Sequence, residues 1–203
     1  MDARGGVGPF LEGIVFYVWR SLLDFSERLG QVIYATWGFK ATGNLEKEGF
    51  LEFSPPGPTG QPEAADLRDG IYSFYMYERN QRGAPVFQSS SLHVMEHCLT
   101  LCYGNPLRKR LGFQPLRLVR NLPMRPEWSL VPVDSKPWHG FLGIRNSEGV
   151  FFSCKTRKDY LLSALSYVVE YSPLDVLECY LRPDAGPLLS QWVDLEWTPE
   201  EDE

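Results

Sequence analysis

The stretch 141–154 reads FLGIRNSEGVFFSC and predicts a β-hairpin. Two runs of apolar and aromatic residues, 141–145 and 150–154, flank Asn146-Ser-Glu-Gly149, whose composition is that of a turn. A second hairpin is predicted where the aromatic run 71–79 is followed by a turn at 80–83 and then by Val86-Phe87. Since hairpins join antiparallel neighbours, the sequence predicts a largely antiparallel sheet.

Three further segments have helical periodicity. Apolar residues recur three and four apart over 10–37, which predicts a long N-terminal helix. A middle helix is expected over 91–103, with Gly104 and Pro106 as stop signals, and a C-terminal helix between the Thr156/Asp159 capping pair and Ser172-Pro173. Ser172-Pro173 can also begin a short further helix. The expected fold class is α+β, with these helices packed on the sheet.

Shorter strands and irregular segments complete the prediction. Strands are expected at 50–53, 116–122, 128–133 and 192–197. Residues 54–70 begin with a Pro/Gly-rich run and are predicted to be a flexible loop, while an acidic tail is expected from 198. At 203 residues, with 43% hydrophobic composition, the chain is expected to form a single globular domain over 1–203.

The cysteines and the N-terminal residues indicate the compartment. The four cysteines contain no CxxC pair, so no disulfide framework is expected. Asp2 occupies the would-be basic region of a signal peptide, and Glu12-Gly13 interrupts its apolar part. The apolar run 14–19 is too short to span a bilayer. The protein is therefore predicted to be cytoplasmic or nuclear and not secreted. No cofactor is predicted.

One motif raises the possibility of zinc chemistry. His93-Val-Met-Glu96-His97 has the HxxEH spacing in which two histidines on a helix hold zinc and the glutamate activates water. The alternative is a solvated face, because His93, Glu96, His97 and Thr100 form the polar stripe of an amphipathic helix. No motif marks the third protein ligand that a catalytic zinc needs. A thiol nucleophile at Cys98, with His97 or His139 as its base, is a second catalytic alternative, and a buried, inert cysteine is the simpler interpretation.

Charge is strongly segregated along the chain. No acidic residue lies between Glu96 and Glu127, and this stretch carries six candidate binding residues: Arg108, Lys109, Arg110, Arg117, Arg120 and Arg125. The end of the chain is acidic, so the basic residues could instead be a solvated surface or pair with that end within the molecule. Arginine forks at such positions suit a carboxylate or phosphate group.

These patterns favour a non-catalytic protein–protein interaction module, such as an adaptor, a complex subunit or a regulatory factor. Trp and Tyr are abundant, charge is segregated along the chain, and no active site is evident from the sequence. The expected partner is another protein with an acidic surface. Nucleic acid or anionic lipid is an alternative ligand for the basic segment, although a net charge of -6 disfavours a dedicated nucleic-acid binder. The zinc-dependent hydrolase is the alternative from a different class.

Overall fold

An antiparallel β-sheet is the framework of the molecule. The structure, a computed structural model, describes residues 23–57, 60–79, 81–119, 122–133, 141–156 and 160–196. Within these ranges nine strands form one sheet in the order β1-β2-β3-β4-β6-β9-β8-β7, with β5 added on β4. The strands are β1 Lys40–Asn44, β2 Phe50–Ser54, β3 Glu63–Arg68, β4 Ile71–Glu78, β5 Gln81–Arg82, β6 Phe87–Ser89, β7 Trp128–Val133, β8 Phe141–Asn146 and β9 Phe151–Thr156.

Both predicted hairpins are confirmed. β8 and β9 pair with Arg145 opposite Phe151, and the Asn146 side chain closes the turn by accepting from the N–H groups of Glu148 at 3.1 Å and Val150 at 2.8 Å. An asparagine that bonds its own turn backbone favours this reversal over extended chain. β4 likewise pairs antiparallel with both β5 and β6. The expectation of an α+β fold with a largely antiparallel sheet therefore holds.

Helices cover one face of this sheet. In the described ranges they are α1 Phe25–Trp37, α2 Leu45–Glu48, α3 Leu92–Arg110, α4 Tyr160–Val168 and α5 Pro173–Tyr180. None of them is long and apolar enough to cross a membrane.

The continuous helix predicted over 10–37 is interrupted at Asp24. Asp24 is extended and its carboxylate accepts from the Glu27 N–H at 2.9 Å, so α1 begins at Phe25 rather than continuing through from residue 10. Residues 10–22 of the predicted helix lie outside the described residues. α1 ends where Gly38 adopts a left-handed conformation with φ of 73°.

The middle helix is longer than predicted, because tertiary contacts override both of its stop signals. At Gly104 a Cβ atom would lie 2.3 Å from Cε1 of Tyr180, so this glycine permits close packing of α3 on α5. The Asn105 side chain accepts from Leu116 N at 2.7 Å and donates to Leu116 O at 2.9 Å, fixing the residue before Pro106 in the helix. α3 therefore continues to Arg110.

Three other sequence predictions are corrected. The loop predicted at 54–70 is shorter, because Glu63–Arg68 form β3. The strand predicted at 116–122 is an isolated bridge from Leu116 to Val193 followed by a 3-10 turn, Arg117–Val119. The strand predicted at 192–197 is replaced by the 3-10 turn Ser190–Trp192 and that same bridge. Residues 157–159, which include part of the capping pair, and the acidic tail from 198 lie outside the described ranges.

The sheet has two chemically different faces. On the inner face Ala65, Phe74 and Phe87 align across β3, β4 and β6 and are almost fully buried beneath the helices. The ring centroid of Tyr103 in α3 lies 5.4 Å from the ring centroid of Phe53 and 6.1 Å from that of Phe74. Because successive side chains of a strand point to opposite faces, the intervening residues form the outer face. The main hydrophobic core therefore lies on the helix side of the sheet.

Candidate protein-binding face

Cations predominate on the outer face of the sheet. Strand alternation and register place the polar residues of the central row, Asp66, Ser73, Gln88 and Lys155, side by side across β3, β4, β6 and β9. The described charged side chains on this face are the cations Lys40, Arg68, Arg82, Arg145 and Lys155 and the carboxylates Glu52 and Asp66. The outer face is thus basic, although the whole chain has a net charge of -6.

The first cluster on this face joins Tyr75, Arg82 and Asp66. The Arg82 guanidinium lies 3.5 Å from the centroid of the Tyr75 ring, and its Nη2 is 2.5 Å from Asp66 Oδ2. Arg68 Nε donates to the same oxygen at 2.9 Å. The other carboxylate oxygen, Asp66 Oδ1, and Arg82 Nε are both buried without a hydrogen-bond partner among the described residues. Two arginines therefore share one carboxylate, and the cluster is positive.

The second cluster stacks Gly143, Phe151 and Arg145. A Cβ atom at residue 143 would lie 1.9 Å from Cε2 of Phe151, so the aromatic ring rests directly on this glycine. The Arg145 guanidinium lies 5.4 Å from the centre of the same ring, which is 39% exposed. No carboxylate lies in ion-pair range of Arg145 within the described ranges. An aromatic ring and an arginine are thus presented together to solvent, as in the energetic centres of protein interfaces.

Arg108, by contrast, is a structural residue within the predicted basic segment. It is 0% exposed, and its guanidinium donates to four backbone carbonyls: Gln114 at 2.5 Å, Arg182 at 2.6 Å, Pro183 at 2.9 Å and Tyr180 at 3.3 Å. Burial lowers the pKa of Arg108, and Tyr180 and Asp184 oppose that shift. Its location near the C-terminal ends of α3 and α5 also suits a cation, because helix carbonyls there carry partial negative charge. Arg108 is not available to a partner at the surface.

The other candidate basic residues do not form one patch in the described structure. Arg117 pairs with Asp194 at 3.0 Å and with Glu196 at 3.1 Å, so the basic segment and the acidic C-terminal stretch meet within the molecule. Arg125 pairs with Glu170 at 2.8 Å and also with Glu127. Lys109 and Arg110 are exposed at the end of α3, and Arg120 lies outside the described residues.

The two histidines of HxxEH bind backbone carbonyls. His93 Nε2 lies 2.6 Å from Val169 O and His97 Nε2 lies 3.1 Å from Tyr171 O, so each ring donates a proton to the chain between α4 and α5. The two rings are edge to face with centroids 4.7 Å apart. Among the described residues no group of three metal-ligating side chains comes together. The geometry fits helix anchoring and does not support the zinc alternative.

The solvated-face interpretation of this motif is wrong at its centre. His97 and Thr100 are both 0% exposed, because α4 and α5 cover the polar stripe of α3. Burial, together with the nearby His93, lowers the pKa of His97 to about 3, so its ring is neutral. Burial, together with the charges of Glu46 and Asp24, raises the pKa of Glu96 to about 7.

The structure does not assemble the thiol alternative in its described part. Cys98 is 1% exposed, and its Sγ lies 4.0 Å from Sγ of Cys102. His139 lies outside the described ranges. A buried thiol beside a second thiol suits core packing.

The family of the chain follows from comparison with known proteins. Residues 53–188 match the family model described as Immunity protein 61 (Imm61). The chain belongs to the Immunity protein 61 family. This matched range contains both outer-face clusters and all of α3, α4 and α5, so the family match includes the candidate binding face.

A solved structure has a similar fold. Rv3902c from M. tuberculosis matches with a TM-score of 0.60 and 20% sequence identity, covering 79% of this chain and 91% of that chain. At this identity the similarity shows the fold alone. No curated protein matches the chain.

Sequence reasoning missed the outer-face residues because they are scattered along the chain. Arg82, Arg145 and Lys155 come from three different strands and meet only through the strand order β4-β6-β9-β8. The sequence contained one signal for these residues. In the predicted hairpin at 141–154, Ile144 and Arg145 are adjacent in one strand, so an inward-pointing Ile144 places Arg145 on the outer face.

Proposed function

We propose that this chain is an immunity protein, which binds a protein toxin and neutralises it by occupying part of its surface. The family match over residues 53–188 carries the proposal. The family match makes the interaction module predicted from the sequence more specific, because the partner of an immunity protein is a toxin. The chain acts by binding rather than by catalysis.

The arrangement of the fold supports this function. The helices and the inner face form the core, which leaves the outer face to vary without loss of packing. That face presents tyrosine, phenylalanine and arginine side chains, which are enriched in protein interfaces. The described structure thus combines a stable scaffold with a surface whose composition suits a protein partner.

We also propose that the encounter takes place in the cytoplasm. In the described structure none of the four cysteines, Cys98, Cys102, Cys154 and Cys179, forms a disulfide. Burial raises the pKa of Cys154 to about 12, which keeps that thiol protonated. Cysteines that remain outside disulfides suit a reducing compartment.

A growth selection tests the function directly. A library of genomic fragments from the source organism is expressed in a laboratory bacterium, with and without this chain. We expect fragments that are toxic alone and tolerated with the chain, and a stable complex between each purified product and the chain. A Leu99→Asp variant, which places a charge at a position 0% exposed, provides the unfolded control and should not protect. Failure to recover any selectively tolerated fragment would count against the proposal.

A further inference from the structure

We propose that the outer face of the sheet is the docking surface, and that it receives an acidic surface of the partner through Arg145 and Lys155. The identity of the partner as a toxin rests on the function proposed above. The location and the charge of the docking surface rest on the geometry of the sheet.

The first argument is the distribution of charge. On the helix side, several cations are paired within the molecule: Arg28 lies 2.5 Å from Glu178, and Lys47 lies 2.7 Å from Asp24. On the outer face, Asp66 is shared by Arg68 and Arg82, and across the described part of the chain no carboxylate lies in ion-pair range of Lys40 or Arg145. Acidic groups of a partner would balance this excess positive charge on the outer face.

The second argument is preorganisation. Arg145 lies over Phe151, which itself rests on Gly143, so both side chains are held before any partner arrives. An ordered guanidinium loses less entropy on binding, and its planar fork can make two parallel hydrogen bonds to one carboxylate. The partner group that fits best is therefore the carboxylate of an aspartate or glutamate.

The third argument is spacing. The Arg82–Tyr75 cluster is on β4 and β5, while the Arg145–Phe151 cluster is on β8 and β9. Strands β6 and β9 separate β4 from β8, and the register displaces Phe151 from the level of Tyr75 by about six residues along the strands. The clusters therefore lie roughly 25 Å apart, at about 4.8 Å per strand and about 3.3 Å per residue. In the row between the two clusters, Gln88 Nε2 donates a hydrogen bond to Ser73 Oγ at 2.8 Å. This is the scale of a protein interface rather than of a small-molecule site.

A matched pair of double variants tests the proposal. Arg145→Glu with Lys155→Glu reverses two charges on the outer face, and Lys109→Glu with Arg110→Glu reverses two exposed charges at the end of α3. Arg145→Gln with Lys155→Gln removes the outer-face charges without reversal, in case the first variant folds poorly. Thermal unfolding of each variant establishes that its fold is intact.

The first measurement needs no toxin. Amide shifts of the isotope-labelled chain are followed during titration with a synthetic oligoglutamate peptide at low salt. We expect the shifts to concentrate on β6, β8 and β9 and to disappear in the Arg145/Lys155 variants. Shifts concentrated at the end of α3 would overturn the proposed location. A short duplex DNA that binds the outer face more tightly than the peptide would overturn the choice of a protein partner.

The second measurement uses a toxin recovered by the growth selection. We expect the Arg145/Lys155 reversal to weaken binding roughly 10- to 100-fold, mainly through slower association at low salt, and the Lys109/Arg110 reversal to change it by less than about twofold. Equal neutralisation by the wild type and the Arg145/Lys155 variant would overturn the docking face and leave the immunity function intact. If the selection recovers no toxin but the peptide maps to the outer face, the immunity function fails and the anion-binding face remains.

Discussion

At the scale of single residues, Arg108 shows how a cation can stabilise a fold without an acidic partner. Its guanidinium joins the end of α3 to the carbonyls of Gln114, Arg182 and Pro183, in segments that follow α3 and α5. Each of these carbonyls is a strong acceptor that would otherwise need water. The charge is therefore solvated by the backbone of the protein.

Replacement of Arg108 should be among the most destabilising changes in the chain. We expect Arg108→Ala to lower the free energy of unfolding by more than about 3 kcal/mol, because buried carbonyls lose their donors and a cavity remains. Urea denaturation measures the change, with Arg110→Ala, an exposed neighbour, expected to stay within about 0.5 kcal/mol. An Arg108→Met variant as stable as the wild type would show that the hydrogen bonds make no net contribution.

Glu96 should make stability depend on pH. Its folded pKa is about 7 against an ordinary value of 4.5, so the stability that its protonated form contributes is complete below 4.5 and is lost as pH rises through 7. Because glutamine does not ionise, the Glu96→Gln variant does not lose this stability as pH rises. Relative to the wild type, we expect the variant to gain about 3 kcal/mol between pH 4.5 and pH 8, at roughly 1.4 kcal/mol per pKa unit.

Urea denaturation of both proteins at the two pH values measures this difference. His97 contributes in the opposite direction, because its lowered pKa removes stability as pH falls from 6.5 toward 3. The comparison between Glu96→Gln and the wild type cancels that contribution. A stability difference that is equal at both pH values would contradict the prediction.

At the scale of elements, the packing of α3 on α5 depends on Gly104. A methyl group there would overlap the fully buried Tyr180 ring, whose Cε1 lies 2.3 Å from the Cβ position. Alanine favours a helix over glycine by about 1 kcal/mol, whereas overpacking costs about 1–3 kcal/mol. We expect Gly104→Ala to be destabilising by roughly 1–2 kcal/mol in urea denaturation.

The Tyr180→Phe variant is the control for this contact. It keeps the ring and removes a hydroxyl that has no hydrogen-bond partner among the described residues, so we expect a neutral or slightly stabilising effect. If Gly104→Ala increased stability, helix propensity would outweigh the α3–α5 contact.

The sequence predicts an element correctly where the end of that element is decided by residues nearby in the chain. The hairpin at 141–154 is correct because Asn146 closes its own turn. The end of α3 was wrong because Tyr180 and Leu116, distant in sequence, decide the conformation of Gly104 and Asn105.

The candidate site shows the same limit. The sequence predicted arginine recognition of an acidic protein, and it assigned that role to a contiguous run, 108–125. In the structure Arg108 is buried and Arg117 and Arg125 are paired, while the outer-face cations are brought together by strand pairing. Contiguous charge is visible in a sequence, whereas charge assembled across strands requires the strand order.

At the scale of the whole molecule, the sheet joins the two halves of the chain. β6 pairs with β4 on one side and with β9 on the other, so strands from before and after α3 share one hydrogen-bonded network. We propose that the chain unfolds as one cooperative unit. Hydrogen exchange in increasing urea should give the same midpoint for β1–β2 as for β7–β8. Two separate midpoints would show that the halves are independent domains.

Strand alternation also has an evolutionary consequence. Ile144 and Arg145 are adjacent in sequence, yet one lies in the core and the other on the outer face. Selection can therefore change Arg145 or Lys155 to follow a changing partner at the proposed docking face, while the inward residues of the same strands keep the fold intact. Gly143 is an exception, because any side chain there would displace Phe151. A lineage in which the partner drifts should diversify at the outward strand positions first and retain that glycine longest.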